Sequence, residues 1–453
     1  MRNFLGQEGC VISEREQQDF REWLRSKSDP KEARRKPEAL DDLVVLDLSR
    51  GHMGGLFCSS LLAEFGAETI RIEPPAGDEA RQFSPYGMRH KDTGLGYLVE
   101  GRNKLHITLN LEVSEGREIF KKLARKADVV IETFKPGVMD AWGIGYRQLR
   151  EENPRLVYAA LYTYGQFGPE AACGKPDYDV TNQALSGIVW GTGEMETEGD
   201  PKPWEVPTKI GSWFGWYAGG LWAAFGIMTA LLWRRESGRG QFVDVSGAEG
   251  IMRFMDCYLT IYNMVGLNKT RIGNLDSQIN PYTIMECQDG YTMLAGFTDP
   301  NFFALTSCLN RPDLREDPRF DGFQKRVRLE GSKALWPILQ EEVKKWKVDD
   351  LIERFKQWVV NKEGPGTPVA ARVSTPLEVL SQDNWWERGV LEKVEDLVYG
   401  EVVVQAPPWK MTETPARIKW LCRPVGADNE FVYRKYLGYG PRKVRELQVR
   451  GVI

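Results

Sequence analysis

The stretch LVVLDLSRGHMGGLFCSSLLAEFGAETIRIEPP, residues 43–75, carries two strand patterns with a turn and a helix between them. LVVLDLS is a continuous apolar run of strand length, and the glycines of SRGHMGG are typical of a turn. LFCSSLLAEFG indicates a helix that ends at Gly66, and AETIRIEPP indicates a second strand that the prolines end. This order predicts a βαβ unit with parallel strands.

The alternation continues beyond this unit. HITLNL, DVVIETF and RLVYAALYTYG are strand-like, while SEGREIFKKLARKA and YRQLREENP are helix-like. We expect Ser114 to cap the first of these helices. Strands that alternate with helices over residues 43–165 predict a doubly wound α/β domain. The turn after the first strand lacks GxGxxG, so it is not a dinucleotide fingerprint.

The remaining sequence predicts three regions. Residues 1–42 are a highly charged N-terminal extension with a short surface helix or two. Residues 43–265 are expected to belong to a large α/β domain. Residues 275–390 form a smaller α+β domain, because YTIMECQDGYTMLAGF predicts a hairpin with an Asp-Gly turn and amphipathic helices follow it.

Composition excludes several classes of function. The 453 residues carry a formal charge of −4 and no long basic run, which argues against nucleic-acid binding. Seven cysteines without a CxxC pattern indicate reduced thiols, and the N-terminus lacks the apolar core of a signal peptide, so we expect a cytoplasmic protein. Three histidines, His52, His90 and His106, argue against a histidine metal site or a Ser-His-Asp triad.

The segment KIGSWFGWYAGGLWAAFGIMTALLWRR, residues 209–235, has no charge between its terminal basic residues. Its length would suit a membrane span, but glycines and Ser212 interrupt it and no second such segment exists. We therefore expect a helix from about Tyr217 to Ser237 that is buried on all sides and makes no membrane contact. Four tryptophans are expected to fill the core: Trp213, Trp216, Trp222 and Trp233.

Several stretches occur together and in order: VVLDLS…LLAEFGAETIRIEPPAGDEAR, ADVVIETFKPGVMDAWGIGY, NPRLVYAALYTYGQFGP, YDVTNQALSGIVWGTG, GLWAAFGIMTALLWRRESGRGQFVDVS and DGYTMLAG. In this order they resemble the class III CoA-transferase (CaiB/BaiF) family, which includes formyl-CoA transferase, carnitine CoA-transferase and α-methylacyl-CoA racemase. The resemblance covers roughly residues 43–453. It implies a ring-like chain whose large α/β domain is built from both chain ends, residues 43–265 and 400–453, with the small domain between them. Two such chains are implied to interlock and form a dimer.

The resemblance also implies a chemistry. Family members transfer CoA between carboxylic acids: an enzyme aspartate attacks the acyl-CoA thioester and forms a mixed anhydride, and CoA thiolate then attacks the enzyme's acyl group. The racemase branch uses the corresponding aspartate with a histidine as acid and base. This aspartate begins the long apolar helix that ends before SGRGQ.

At that position, counted back from Gly240, this chain has Trp216, and no Asp or Glu occurs from 206 to 235. The resemblance aligns Tyr178 with the racemase histidine. The resemblance thus implies a non-catalytic subunit whose partner is a related, catalytic CoA-transferase chain. Succinyl-CoA:benzylsuccinate CoA-transferase, from anaerobic toluene breakdown, is an example of such a heteromer.

The resemblance also implies positions that contact the CoA thioester. They are His52 and Met53 in the turn after the first strand, Thr133 and Asp179. Two cations, Arg102 and Lys135, could meet the CoA phosphates, or they could meet only water. His52 could equally be a turn residue bonded to nearby backbone, and Asp179 could cap the following helix. Thr133 and Ala141 stand where relatives often have Asn and Arg, which supports a disabled site. No metal is expected.

Two alternatives remain open from the residues alone. The chain could be an active acyl-CoA transferase, isomerase or racemase that uses Glu73, Asp179 or His52. It could instead be a non-enzymatic module that binds an acyl-CoA. The sequence names neither the carboxylic acid nor the CoA donor.

Overall fold

A computed structural model describes residues 14–28, 30–196 and 202–453 of the chain. The chain divides into two compact units. The large unit holds the residues up to Gly187, Ile210–Asp256 and Asp383–Ile453, and the small unit holds Ile188–Lys209 and Cys257–Gln382. These divisions lie at different positions from the expected domain bounds, since 188–209 and 257–265 join the small unit and 383–390 joins the large one.

The elements follow one another as the sequence patterns predicted for most of the chain. The helices are α1 (Glu14–Ser28), α2 (Pro30–Ala33), α3 (Met53–Glu64), α4 (Leu95–Glu100), α5 (Ser114–Ala124), α6 (Val138–Ala141), α7 (Tyr146–Glu152), α8 (Pro169–Ala172), α9 (Asp179–Ser186), α10 (Phe214–Ser237), α11 (Gly247–Met252), α12 (Tyr258–Val265), α13 (Asp299–Cys308), α14 (Phe323–Val327), α15 (Leu329–Val343), α16 (Val348–Asn361), α17 (Pro376–Ser381), α18 (Asp383–Glu387), α19 (Asn429–Leu437) and α20 (Pro441–Val449). The strands are β1 (Val44–Asp47), β2 (Glu68–Glu73), β3 (Arg89–His90), β4 (Thr93–Gly94), β5 (Lys104–Thr108), β6 (Val129–Glu132), β7 (Val157–Tyr162), β8 (Phe242–Ser246), β9 (Tyr282–Glu286), β10 (Tyr291–Ala295), β11 (Val369–Arg372), β12 (Leu391–Asp396) and β13 (Gly400–Gln405).

The large unit contains a six-stranded sheet in the order β5-β2-β1-β6-β7-β8, with every neighbouring pair parallel. The order reverses at β1, so the carboxyl ends of β1 and β6 form the switch point of a doubly wound fold. The predicted fold class is therefore confirmed. β1, β6 and β7 were recognisable because both of their faces are buried and their sequences are largely apolar runs.

Alternate strand residues face two separate cores. Leu46 and Val130 pack with Val432 and Leu447 of the C-terminal helices α19 and α20. On the opposite face, residues such as Val45 pack against α3 and α10. The C-terminal helices thus complete one layer of the large unit, as the family resemblance implied for a domain built from both chain ends.

The small unit contains the antiparallel sheet β11-β10-β9. β9 and β10 form the hairpin predicted from the Asp-Gly turn, with Tyr291 opposite Glu286. Its core contains Leu305, Leu339 and Phe355 from the amphipathic helices α13, α15 and α16. The predicted α+β character of this unit is therefore what the structure has.

Three local expectations are wrong. α10 is not buried on all sides: Phe225 and Leu232 are 66% and 63% exposed, on a stripe that faces away from the sheet. Trp233 is 56% exposed and so does not fill the core. Ser114 is the first residue of α5 rather than its cap, and its neighbour Val113 takes the cap position without a side-chain hydrogen bond.

α10 is the one helix among the described ranges whose length and apolar composition would suit a membrane span. Of its apolar window, 56% is buried within the chain. A core helix can have the same length and composition as a membrane span, so the packing of the α10 glycines is informative. A Cβ built on Gly220 would overlap the backbone of Gly54 in α3, and one on Gly219 would lie 3.2 Å from Gly247 at the start of α11. α10 thus packs backbone to backbone against its neighbours in the large unit.

Candidate active site

The first turn of α10 lies between the beginnings of α3 and α9, and glycines allow this close approach. A Cβ on Gly54 would overlap the carbonyl oxygen of Trp216. A Cβ on Gly215 would lie 2.7 Å from Cβ of Asn182 and 3.0 Å from the carbonyl oxygen of Asp179. Since side chains at either glycine would push the helices apart, these positions set where Trp216 sits.

The Trp216 side chain is 6% exposed and belongs to an aromatic cluster. Its ring centroid lies 4.9 Å from that of His52 and 5.9 Å from that of Phe83, with the Phe83 ring nearly parallel at 16°. The ring centroid of Trp213 lies 6.5 Å from that of Trp216. An indole therefore fills the space at the start of α10, which explains why the segment is rich in aromatic residues.

The indole N–H of Trp216 donates a hydrogen bond of 3.2 Å to Oδ1 of Asp177. The same carboxylate accepts the hydroxyl of Thr163 at 2.6 Å and pairs with Nε2 of His52 at 3.1 Å. Burial alone would raise the pKa of Asp177, but the pairing with His52 and the hydrogen bonds from Thr163 and Trp216 hold that pKa below its usual range. Asp177 is thus a buried anion whose oxygens are already engaged.

His52 is fixed at both ring nitrogens. Its Nδ1 accepts the backbone N–H of Gly55 at 3.1 Å and so caps α3. Because Nδ1 acts as an acceptor, the ring proton lies on Nε2, which faces Asp177. His52 is therefore the turn residue bonded to nearby backbone that the sequence left as one of two readings.

Asp179 is the first residue of α9 and is 8% exposed. Its Oδ1 accepts the backbone N–H of Trp216 at 3.0 Å, and its Oδ2 accepts Nε2 of Gln183 at 2.8 Å. It does not cap its own helix, as one reading of the sequence expected, because its carboxylate bonds the first turn of α10 instead. Within the described parts of the chain, no cation lies within ion-pair distance of it.

Glu73, a third candidate acid, is bound by the side chains of Arg81 and His106. Nε and Nη2 of Arg81 each donate to it at 2.6 Å, and His106 contacts it at 2.9 Å. Burial works against ionisation, but these donors hold the pKa of Glu73 well below its usual range. Glu73 stabilises the end of β2 as an ion pair rather than offering a free carboxylate.

The predicted CoA contacts fall into separate groups. Thr133 ends up beside α3, where its Oγ1 accepts the backbone N–H of Arg50 at 3.0 Å, and Met53 is fully buried in the same region. Arg102 is not near them: it precedes β5, pairs with Glu64 at the end of α3, and is buried. Lys135 is exposed to solvent. The structure thus brings His52, Met53, Thr133 and Asp179 toward one end of the sheet and leaves out Arg102.

A cavity of about 40 Å³ lies at the carboxyl ends of the central strands. Four charged side chains line this switch-point cavity: Arg50, Glu73, Asp78 and Glu112. Arg50 pairs with Glu112 at 3.6 Å, and the N–H of Gly51 in the turn donates to Asp78 at 3.1 Å. Nucleotide phosphates normally meet free N–H groups and cations at this place in such folds. Here Glu112 pairs with the cation Arg50, and Asp78 accepts the hydrogen bond of the Gly51 N–H.

The sequence profile described as CoA-transferase family III matches residues 40–429. The chain belongs to this family. It is 31% identical over 423 residues to the succinyl-CoA--D-citramalate CoA-transferase of Chloroflexus aurantiacus, a match that covers 93% of this chain and 100% of the relative. CoA transfer from CoA thioesters is therefore the chemistry to which this chain is related.

Two further relatives in the family are subunits of one enzyme, the succinyl-CoA--L-malate CoA-transferase of the same bacterium. The alpha subunit is 31% identical over 417 residues, covering 91% of this chain and 87% of the subunit. The beta subunit is 30% identical over 408 residues, covering 88% of this chain and 94% of the subunit. Among solved structures, a CAIB/BAIF family protein from Brucella suis has a TM-score of 0.73 and 28% identity, covering 88% of this chain and 100% of that chain.

For a chain of family III, the residue that sequence reasoning missed is Asp177. It lies in the loop before α9, and its partners Thr163, His52 and Trp216 come from three distant parts of the chain. The only available signal was its place in PDYD, two residues before Asp179. In the ranges that the structure describes, no group of three or more His, Cys, Asp or Glu residues is arranged to hold a metal ion.

Proposed function

We propose that this chain is the non-catalytic subunit of a heteromeric class III CoA-transferase, and that a related partner chain supplies the reacting aspartate. The observation that carries the proposal is Trp216. At the place where the family resemblance expects a carboxylate, the chain has a buried indole whose N–H is bound to Asp177.

The chemistry of the family explains why this exchange matters. A carboxylate oxygen must attack the thioester carbonyl, release the CoA thiolate and become one half of an anhydride. An indole has no oxygen nucleophile and cannot form that anhydride. Asp177, the acid that contacts the indole, accepts donors from three residues, so it is poorly placed to act instead. Without the covalent route, the rate should fall by several powers of ten.

The remaining role of the chain would be to complete the assembly. Four apolar side chains recur along one face of α10 and are 40% to 66% exposed: Leu221, Phe225, Met228 and Leu232. An exposed apolar stripe of this length fits a surface that another subunit covers. The names of the alpha and beta relatives support a heteromer. The family resemblance implies that the two chains interlock and that the small domain of this chain completes the CoA site of its partner.

The partner would also bind most of the CoA. Arg50, the cation of the switch-point cavity, pairs with Glu112 at 3.6 Å, so a phosphate group would have to compete with this carboxylate for it. The names of the relatives support succinyl-CoA as the donor. The acceptor we propose is an aromatic succinate, as in succinyl-CoA:benzylsuccinate CoA-transferase, which would place the complex in anaerobic breakdown of aromatic compounds in the cytoplasm.

Co-expression tests this proposal. The chain is produced alone and together with a family III chain that has aspartate at the position of Trp216, and both preparations are assayed with succinyl-CoA and benzylsuccinate. We expect a stable heteromer that transfers CoA and no transfer by this chain alone. A stable homodimer that transfers CoA without a second subunit would contradict the proposal.

One observation favours a second candidate function, an active enzyme that uses Asp179. This carboxylate is bound by neutral donors, Trp216 N–H and Gln183, rather than by a cation. Asp179→Asn and Asp177→Asn variants of the chain alone separate the two candidates. If Asp179 reacts, the wild-type chain turns over acyl-CoA and only Asp179→Asn abolishes turnover by removing the nucleophile. If this chain is non-catalytic, none of the three proteins has activity.

A further inference from the structure

A second cavity lies in the large unit, where α2 and the following residues meet the chain that follows β13. Its volume is about 40 Å³, and four charged side chains line it: Arg34, Glu392, Lys410 and Arg417. Trp409, Pro407 and Ile418 are among its apolar lining residues. We call this the basic cavity. It shares no lining residue with the switch-point cavity and none with the group around Trp216.

The cations of the basic cavity are incompletely balanced. The ammonium of Lys410 donates to two carbonyl oxygens, of Gly389 at 3.0 Å and of Pro407 at 3.4 Å, and forms no ion pair with the described carboxylates. Arg34 also lacks an ion pair within the described chain. Only Arg417 has an acidic neighbour, Glu38, at 3.6 Å, and this acid is shared with Lys419.

The one acid that lines the basic cavity does not neutralise it. Glu392 makes no ion pair of 4 Å or less with the described cations, and burial raises its pKa although Arg34, Lys410 and Arg102 oppose that shift. Burial and the nearby Arg388 lower the pKa of Lys410, although Glu392 opposes that shift. Like charges therefore crowd one another here, and they do so in a chain whose net charge is −4.

We propose that the basic cavity binds a small oxyanion, either inorganic phosphate or one carboxylate group of an organic acid. An ammonium has three donors, and the two carbonyl bonds of Lys410 leave a third available. An anion beside Lys410 and Arg34 would gain charge-assisted hydrogen bonds and would offset the repulsion between Lys410 and Arg388. A volume of about 40 Å³ suits a single such group rather than a nucleotide. The proposal does not depend on the role of Trp216.

Calorimetric titration of the full chain tests the site, with inorganic phosphate in one arm and succinate in the other. Chloride at matched ionic strength is the reference for simple screening. We expect saturable binding of at least one oxyanion and none of chloride. Binding of phosphate alone identifies an inorganic ligand, and binding of succinate alone identifies an organic acid. Failure of both oxyanions to bind at millimolar concentration would overturn the proposal.

Three variants locate the binding. Lys410→Met should weaken binding at least tenfold, because it removes the half-buried cation whose third donor is available to the anion. Lys419→Met is the matched control: Lys419 pairs with Glu38 and does not line the basic cavity, so binding should stay within twofold. Glu392→Gln should tighten binding, because it removes the one negative charge, and this gain does not depend on whether Lys410→Met folds. Equal affinities in all three variants would place the anion elsewhere and overturn the assignment.

Discussion

The indole N–H of Trp216 lies 3.2 Å from Oδ1 of Asp177, and this hydrogen bond joins the start of α10 to the loop before α9. The residue that stands in the expected place of a nucleophile is therefore built into the core of the large unit. Its backbone N–H also binds Asp179 at 3.0 Å. Both bonds predict that Trp216 contributes to folding rather than to a reaction.

The first prediction concerns Trp216→Phe. The change leaves an aromatic ring but removes the donor to the buried Asp177, so we expect the free energy of unfolding to fall by about 2 kcal/mol. Urea unfolding measures the loss. Trp233→Phe, at an exposed position of the same helix, should change the free energy by less than about 0.5 kcal/mol. A co-purified heteromer that carries Trp216→Phe should keep its turnover, and a tenfold loss with intact folding would argue for a catalytic role.

The second prediction concerns the contact between α3 and α10. Gly54→Ala and Gly220→Ala each place a Cβ against backbone atoms of the facing helix, which cannot move like a side chain. We expect either change to lower the free energy of unfolding by about 2 kcal/mol or more, as overpacking does. Gly211→Ala is the control, because its Cβ would meet nothing within 4 Å. Equal stability of all three variants would mean that the helices are not in backbone contact.

The third prediction concerns pH. Burial raises the pKa of Glu132 from 4.5 to about 8, although the Phe134 N–H opposes the shift. The folded chain then holds a proton on Glu132 that the unfolded chain has lost, so stability from this group falls as pH rises between about 4.5 and 8.

Glu132→Gln removes that dependence, because its amide is neutral throughout. Urea unfolding should show the variant gaining stability relative to the wild type between pH 5 and pH 8. Glu151→Gln, at an exposed position, serves as the control and should track the wild type. Parallel curves for Glu132→Gln and the wild type would show that Glu132 ionises normally.

The fourth prediction concerns CoA. The switch-point cavity has its cation, Arg50, paired with Glu112 at 3.6 Å, so the isolated chain should bind CoA weakly, with a Kd above about 1 mM. Glu112→Lys frees Arg50 and adds a cation, and it should tighten CoA binding severalfold in calorimetry. Glu115→Lys is the control, because Glu115 pairs with Arg450 and does not line the cavity. Micromolar binding by the wild-type chain would contradict this view of the cavity.

Much of the fold could be predicted because the sequence patterns that specify it are local. β1 is an apolar run and a glycine turn precedes α3. The helix ends at Glu64, two residues before Gly66, whose φ of +108° few other residues tolerate. The hairpin of β9 and β10 likewise followed from its Asp-Gly turn. The exposed stripe of α10 was not readable, because apolar residues surround the helix and composition does not show which of them face the sheet.

The candidate site was only partly readable, because its contacts are distant in the sequence. The absence of an acid at Trp216 needed only the family pattern. The hydrogen bond between the Trp216 indole and Asp177 joins residues 39 positions apart in the sequence. No periodic pattern in the sequence predicts such a contact. Arg102 was misplaced for a similar reason: a cation in the sequence does not show that Glu64, at the end of α3, binds it.

Trapping the acyl-enzyme during turnover tests the central claim most directly. Heteromer is incubated with succinyl-CoA and the acceptor acid, quenched with hydroxylamine, and both subunits are analysed by peptide mass spectrometry. A carboxylate that has become an anhydride is converted to a hydroxamate, so the reacting residue carries the mass change. We predict the modification on an aspartate of the partner chain and none on this one. A hydroxamate on Asp179 of this chain, formed with no second subunit present, would contradict the account.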